Sequence, residues 1–312
     1  MTEVLLCGGF NGTERDALDA EFDTLSVPGP DGIAGLDEGQ RTGIRALAYK
    51  SGDALGGETL DLLPNLGVVA NFGVGYDAID VGAATERGVK VTNTPDVLND
   101  DVADLAVGMM LMQARDMRRG DALVRSGRWA EGESFPLNRK MSGGTAGIVG
   151  LGRIGRAIAD RLAAFGMELH YHSRSEKETP GWTYHAGVVD LARAVDWLVV
   201  ALVGGEETRH YVSRDVIDAM GPGGVLINIS RGSTVDEGAL LDALEAGRIA
   251  GAGLDVFDGE PQVDPRFHAL ENVVLQPHQG SGTHTTRADM AALQRANIAA
   301  FLRGEALPTP VN

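Results

Sequence analysis

The sequence predicts an α/β protein of two doubly wound, parallel-sheet domains. Three observations carry that expectation. Short apolar runs alternate with helical patterns, as parallel βαβ units require, because each strand returns through a crossover helix. The alternation runs in two series separated by one long helical pattern. The 312 residues are also enough to bury two cores.

In the first series, Val4–Gly8, Ala46–Tyr49, Gly67–Asn71 and Val89–Thr92 read as strands, with a helix at Asp80–Arg87. Apolar spacing then predicts one long helix over Asp100–Ser126. In the second series, Thr145–Val149 is a strand, Arg153–Phe165 a helix and Glu168–Tyr171 a strand. Strands follow at Trp197–Leu202 and Val225–Ile229, with the helix Ser213–Met220 between them. The helix Asp236–Ala246 and the strands Gly251–Asp255 and Val273–Leu275 close the series. The connection Gly127–Gly144 holds Trp129, Phe135, Pro136 and Leu137, so it packs either on another subunit or back on its own domain.

Composition narrows the function. A net charge of −17 opposes attraction to nucleic acid or to an anionic membrane surface. An anionic ligand would then need a local basic pocket, which makes single arginines informative. The one cysteine, Cys7, lies in an apolar run and reads as a small buried hydrophobe. No basic leader opens the chain and no apolar stretch is long enough to span a bilayer, so a cytoplasmic protein is expected. His170 and His172 share a strand face without an evident third ligand, so no metal is expected.

Gly150-Leu151-Gly152-Arg153-Ile154-Gly155 matches G-x-G-x-x-G, with a strand entering it and an amphipathic helix leaving it. In that setting the first glycine permits a tight turn, the second lets the backbone approach a pyrophosphate, and the third allows close helix packing. The helix N-terminus offers unpaired N–H groups to the phosphates. A glycine-rich turn with no ligand is the bland alternative. At the end of the second strand, Ser173-Arg174-Ser175 stands where an NAD site usually carries an acid. An arginine flanked by hydroxyls attracts a 2′-phosphate, so NADP(H) is preferred, with NAD(H) possible if Arg174 is only a solvated turn residue.

Three later segments fall at strand C-terminal ends: Ile227 to Gly232, Asp255 to Pro261, and Gln276 to Ser281, bringing Arg231, Glu260 and His278 to one edge. Reduction of a 2-oxo acid needs a cation for its carboxylate, a hydride and a proton. Arg231 suits the first by its bidentate fork. His278 suits proton transfer, and Glu260 would fix its tautomer and favour its protonated form. Alone, each residue is equally an ordinary structural histidine or ion pair.

Taken together, these residues resemble the D-2-hydroxyacid dehydrogenase family, and within it the glyoxylate/hydroxypyruvate reductases. Asn71-Phe72-Gly73-Val74-Gly75-Tyr76-Asp77 is similar to the family's substrate-carboxylate loop, and Arg231, Glu260 and His278 to its catalytic triad. The resemblance implies a Rossmann-type cofactor domain, 99–279, inserted into a flavodoxin-like substrate domain made of 1–98 and 280–312, with the active site in the cleft between them. It implies substrate contacts from Gly73 and from the Val74 and Gly75 amides, and cofactor contacts from Gly150–Gly155, Ser173, Arg174, Ser175, Ile229 and Asp255. Asp255 matches the aspartate near the nicotinamide carboxamide. A homodimer joined through the cofactor domains is also implied. Lys50, with Ser51 beside it, ends a substrate-domain strand where the resemblance does not lead one to expect lysine; it either contacts an anionic or polyhydroxylated substrate tail or is solvated. A sugar-derived or phosphorylated acid, and a non-catalytic dinucleotide-sensing protein of the corepressor type, remain alternatives.

Overall fold

The computed structural model describes residues 2–312. The chain forms two compact units, one of residues Met1–Leu98 with Thr283–Asn312 and the other of Asn99–Gly282. The return crossing falls at Thr283 rather than at 280, because the Gln279 and Gly280 amides bond the Asp255 carboxylate and keep that turn with the second unit.

The first unit holds five parallel strands: β1 (Val4–Gly8), β2 (Thr24–Val27), β3 (Ala46–Lys50), β4 (Val68–Asn71) and β5 (Lys90–Thr92). Their spatial order is β2-β1-β3-β4-β5, the flavodoxin-like arrangement, which reverses direction between β1 and β3. Both faces are covered. Leu5, Cys7, Leu47, Tyr49 and Val69 form one core, while Val4, Leu6, Ala46, Ala48, Val68 and Ala70 form the other. The alternation follows from the strand period of two. The helix His284–Arg303 seals the second face through Ile298 and Phe301. A Cβ on Gly67 would lie 2.1 Å from the Phe301 ring, so glycine is required there.

The second unit holds β6 (Thr145–Val149), β7 (Glu168–His172), β8 (Thr183–Tyr184), β9 (Trp197–Val200), β10 (Val225–Asn228), β11 (Gly251–Leu254) and β12 (Val273–Leu275). All pair in parallel in the order β12-β11-β10-β9-β6-β7-β8. This is the Rossmann order 3-2-1-4-5-6 extended by one strand. Strands β9 and β10 are buried along their whole length, which explains their apolar sequence up to Asn228, the buried polar residue that ends β10.

Two features depart from the sequence reading. The long helix is broken: Asn99–Arg115 ends, and Met117–Arg125 begins after Asp116, whose backbone is left-handed at φ 45°. Apolar spacing continues across the break and hides it. Strands β2 and β8 were not anticipated, being short edge strands that are only partly buried. The connection 127–144 divides its behaviour. Arg139 folds back, its amide bonding the Ala114 carbonyl, its guanidinium pairing with Asp196 at 2.9 Å and lying over Trp197. Trp129 and Leu137 remain exposed.

Trp197 is the largest fully buried side chain and anchors the centre of the second sheet. Trp197→Ala is expected to cost ~3–5 kcal/mol through lost burial and a residual cavity. The midpoint of chemical denaturation reads this directly, and an unmoved midpoint would contradict the packing described.

Candidate active site

The glycine-rich turn lies where the second sheet reverses its order, between β6 and β9. In open α/β sheets this is where ligands bind, beyond the strand C-termini. Two of its glycines are dictated by the chain itself. Gly150 has φ +99°, and a Cβ there would meet the Ala201 carbonyl oxygen at 2.6 Å. A Cβ on Gly155 would lie 2.1 Å from the Gly150 oxygen, so the helix could not pack so close to the turn. Gly152 differs. It is the N-cap of the helix Arg153–Ala164, and a Cβ there would meet nothing within 4 Å. The open space over Gly152, facing a helix N-terminus, fits the pyrophosphate of a dinucleotide. Leu151 is buried beneath the turn and Ile154 half-buried beside it, while Arg153 is exposed.

Beyond β7, Ser173 Oγ donates to the Ser175 carbonyl at 2.6 Å, shaping a turn that leaves Arg174 exposed. Beneath it runs a network the sequence did not signal. His172 Nε2 lies 2.7 Å from the Tyr211 hydroxyl, its Nδ1 is 2.9 Å from the His185 carbonyl, and His170 Nδ1 is 3.0 Å from His185 Nε2. Burial, then the neighbouring His170, holds His185 below its ordinary pKa. Among the described residues no group of three or more His, Cys, Asp or Glu side chains gathers as a metal site.

Arg231, Glu260 and His278 converge at the C-terminal edge of β10, β11 and β12. Arg231 follows β10, its carbonyl accepting from Asn228 Nδ2 and Thr234 Oγ1, and its Nη1 donating to the Ser230 carbonyl. The next residue, Gly232, is packed against the Phe257 backbone, where a Cβ would stand 1.9 Å from the carbonyl carbon. Glu260 Oε1 accepts from the Phe257 amide at 2.9 Å, and Oε2 lies 2.7 Å from His278 Nδ1. Burial alone would raise the Glu260 carboxyl. The His278 hydrogen bond and charge, the Phe257 amide and the Arg231 charge outweigh that and hold it below the ordinary carboxylate range. An ionised Glu260 accepts only, so Nδ1 carries the proton and Nε2 is the imidazole's working atom.

His278 has φ +53°, an uncommon conformation for a side-chain-bearing residue. Asp255, only 1% exposed, supports that turn. Its Oδ1 accepts from the Gln279 amide at 2.6 Å, its Oδ2 from the Gly280 amide at 2.8 Å, and its carbonyl from the His278 amide at 2.9 Å. Burial pushes the Asp255 carboxyl up, against the two amide bonds. Ile229, largely buried, follows β10 directly.

The first unit carries the other predicted residues. In the loop after β4, Asn71 Nδ2 donates to the Gly73 and Gly75 carbonyls, Asn93 Nδ2 to the Val74 carbonyl, and the Thr94 amide to the Gly73 carbonyl. With the carbonyls so tied, no backbone hydrogen bond among the described residues takes up the Val74 or Gly75 amide. That is the make-up of an anion-binding nest. Lys50 is ion-paired with Glu14 at 2.5 Å, and the Ser51 hydroxyl bonds Asp53 within its own turn. Asn93 and Glu14 gave no local sequence signal; only the fold brings them to these partners.

A glycine-rich turn between a parallel strand and a helix N-terminus, at the reversal of a Rossmann-ordered sheet, defines a dinucleotide-binding α/β protein. Residues 107–280 match the family described as D-isomer specific 2-hydroxyacid dehydrogenase, NAD binding domain. The chain is 50% identical over 276 residues, 88% of each protein, to glyoxylate/hydroxypyruvate reductase A of Arabidopsis thaliana. It is 42% identical to 2-ketogluconate reductase of Gluconobacter oxydans, covering 86% of each. Its structure superposes with a TM-score of 0.94 on the NADPH-dependent glyoxylate/hydroxypyruvate reductase of Sinorhizobium meliloti in complex with NADP and malonate. Identity there is 43%, covering 99% of this chain and 96% of that one. The chain belongs to the D-isomer specific 2-hydroxyacid dehydrogenase family.

Asp255→Asn replaces one acceptor oxygen with an amide NH2 that faces a backbone N–H. The expected loss is about 1–3 kcal/mol, the cost of a buried donor left without its acceptor. Hydrogen exchange checks it: the Gln279 and Gly280 amides should exchange faster, and unchanged protection would refute the clamp.

Proposed function

We propose that this chain is an NADPH-dependent reductase of a small 2-oxo acid, glyoxylate or hydroxypyruvate, giving the D-2-hydroxy acid. The observation that carries the reading is the 2.7 Å contact of His278 Nδ1 with Glu260, at the same strand edge as Arg231 and on the same sheet as the glycine-rich turn. The unit Asn99–Gly282 is the cofactor domain in this reading, and the other unit the substrate domain. The turn Gly150–Gly155 and its helix N-terminus hold the pyrophosphate, while Ser173, Arg174 and Ser175 hold the 2′-phosphate. Ile229 and Asp255 serve the nicotinamide end, Asp255 through lone pairs beyond its two amide bonds. When bound, NADPH supplies the hydride that adds to the carbonyl carbon.

Arg231 and the Val74 and Gly75 amides bind the substrate carboxylate. The protonated His278 gives its Nε2 proton to the carbonyl oxygen as negative charge develops there. Glu260 fixes the ring through Nδ1 and stabilises the imidazolium, the role a carboxylate plays behind a catalytic histidine. A cytoplasmic homodimer completes the reading. Val124, Trp129 and Leu137 are large apolar side chains exposed on the second unit, and exposed apolar side chains are what a partner subunit would cover.

Rates of NADPH and NADH oxidation with glyoxylate and hydroxypyruvate test the function. Cofactor binding without turnover of any 2-oxo acid would favour the dinucleotide-sensing alternative. His278→Ala should lower kcat by roughly 10²–10⁴-fold, the usual contribution of a general acid. Glu260→Gln should lower kcat as well, because the ring loses the carboxylate that fixes it through Nδ1. Arg174→Ala should raise the KM for NADPH about tenfold relative to that for NADH, the loss of one charge-assisted phosphate contact.

A further inference from the structure

The first unit has its own sheet reversal, between β1 and β3, and an ion pair fills it. Lys50 ends β3, and Glu14 lies in the first turn of the helix Gly12–Asp19 that follows β1. Their contact is 2.5 Å, with the lysine side chain 20% and the glutamate 7% exposed. The Lys50 ammonium also lies over the face of Phe72, 4.5 Å from the ring centre, and 5.8 Å from that of Phe10. Phe72 immediately precedes the Gly73–Gly75 loop, and its amide bonds the Tyr49 carbonyl at 2.8 Å. The ammonium is therefore fixed next to the loop read above as the carboxylate nest.

Glu14 is not placed there by helix capping alone. Its Oε2 takes both the Asn11 amide and Lys50, while its buried Oε1 has no hydrogen-bond partner. Charge balance for this carboxylate comes from Lys50, so the lysine cannot leave without stranding a buried anion. Such a lysine is not a loose solvated side chain. It is a fixed N–H donor whose net charge is already answered, at the point of the sheet where α/β proteins bind ligands. A neutralised ammonium of this kind suits a hydroxyl oxygen better than a second carboxylate.

We propose that Lys50, held by Glu14 and Phe72, is a specificity-determining residue that donates a hydrogen bond to a hydroxyl on the carbon adjacent to the carbonyl of the 2-oxo acid. This rests on the reductase reading and narrows it: hydroxylated acids of the hydroxypyruvate and sugar-acid type are preferred to glyoxylate, which has no such hydroxyl. A site built to bond a hydroxyl rejects the analogue lacking it, because the donor is then left without an acceptor.

The test compares wild type with Lys50→Met and with the double variant Glu14→Gln/Lys50→Met, which removes both charges and leaves no stranded carboxylate. Steady-state NADPH oxidation is measured with hydroxypyruvate, glyoxylate and a dicarboxylic 2-oxo acid. The hydroxypyruvate-to-glyoxylate ratio of kcat/KM should fall about tenfold or more in both variants, with the loss in the KM for hydroxypyruvate. An unchanged ratio in the folded double variant would overturn the proposal, as would a loss falling chiefly on the dicarboxylic acid. A wild-type protein that turns over none of the three would overturn the reductase reading and this inference with it.

Discussion

The geometry at the C-terminal edge of the second sheet depends on one buried carboxylate, Asp255. Asp255 grips the two amides after His278 and, through its carbonyl, the amide of His278 itself. Those three bonds pay for a left-handed backbone at a histidine, a conformation that a side chain disfavours. With the turn held, the imidazole reaches Glu260, and with Glu260 ionised the ring is left with one working nitrogen. Packing around Gly232 fixes the neighbouring Arg231 turn against the Phe257 backbone in the same way. The residues at this edge are thus organised by main-chain bonds on rigid strand ends, which is what holds a side chain in place within a fraction of an ångström.

Charge explains why so few cations matter. The chain carries −17 overall, and many of its arginines are paired: Arg87 with Asp61, Arg161 with Asp100 and Asp104, Arg266 with Asp242 and Glu245. Exposed pairs of this kind contribute little to stability, but they remove the cation from competition for anionic ligands. Against that background the exposed Arg174, on its serine-shaped turn, is a local exception in an acidic surface. An acidic envelope with a few placed cations admits a small anion only where those cations stand.

Much of this was legible from the sequence, for physical reasons. The glycines of the cofactor turn are demanded by contacts of 2.6 Å and less, so no other residue could occupy Gly150 or Gly155, and the pattern survives as a motif. The core strands are buried on both faces and therefore read as apolar runs. The three predicted catalytic residues each follow a strand, and parallel topology brings strand ends to one edge. What the sequence hid is equally specific. The break at Asp116 leaves apolar spacing intact on both sides, so periodicity is blind to it. The His170–His185 and His172–Tyr211 contacts, and the Glu14–Lys50 pair, join residues 15, 39 and 36 positions apart. No local pattern encodes such partners; only the sheet order does.

The helix His284–Arg303 belongs to the first unit, although the whole second unit precedes it in the chain. Gln294 reaches under the first sheet to bond the Tyr49 and Ala70 carbonyls, and Ile298 closes one of its two cores. During synthesis at the ribosome, the five strands of that sheet emerge first, yet one apolar face is covered only in part, by Leu18, Phe10 and Phe22, until the final helix is released. The inserted unit, whose strands and helices are contiguous, can fold while its host waits. Birth order and the order in which the two cores can be completed are therefore reversed in this polypeptide.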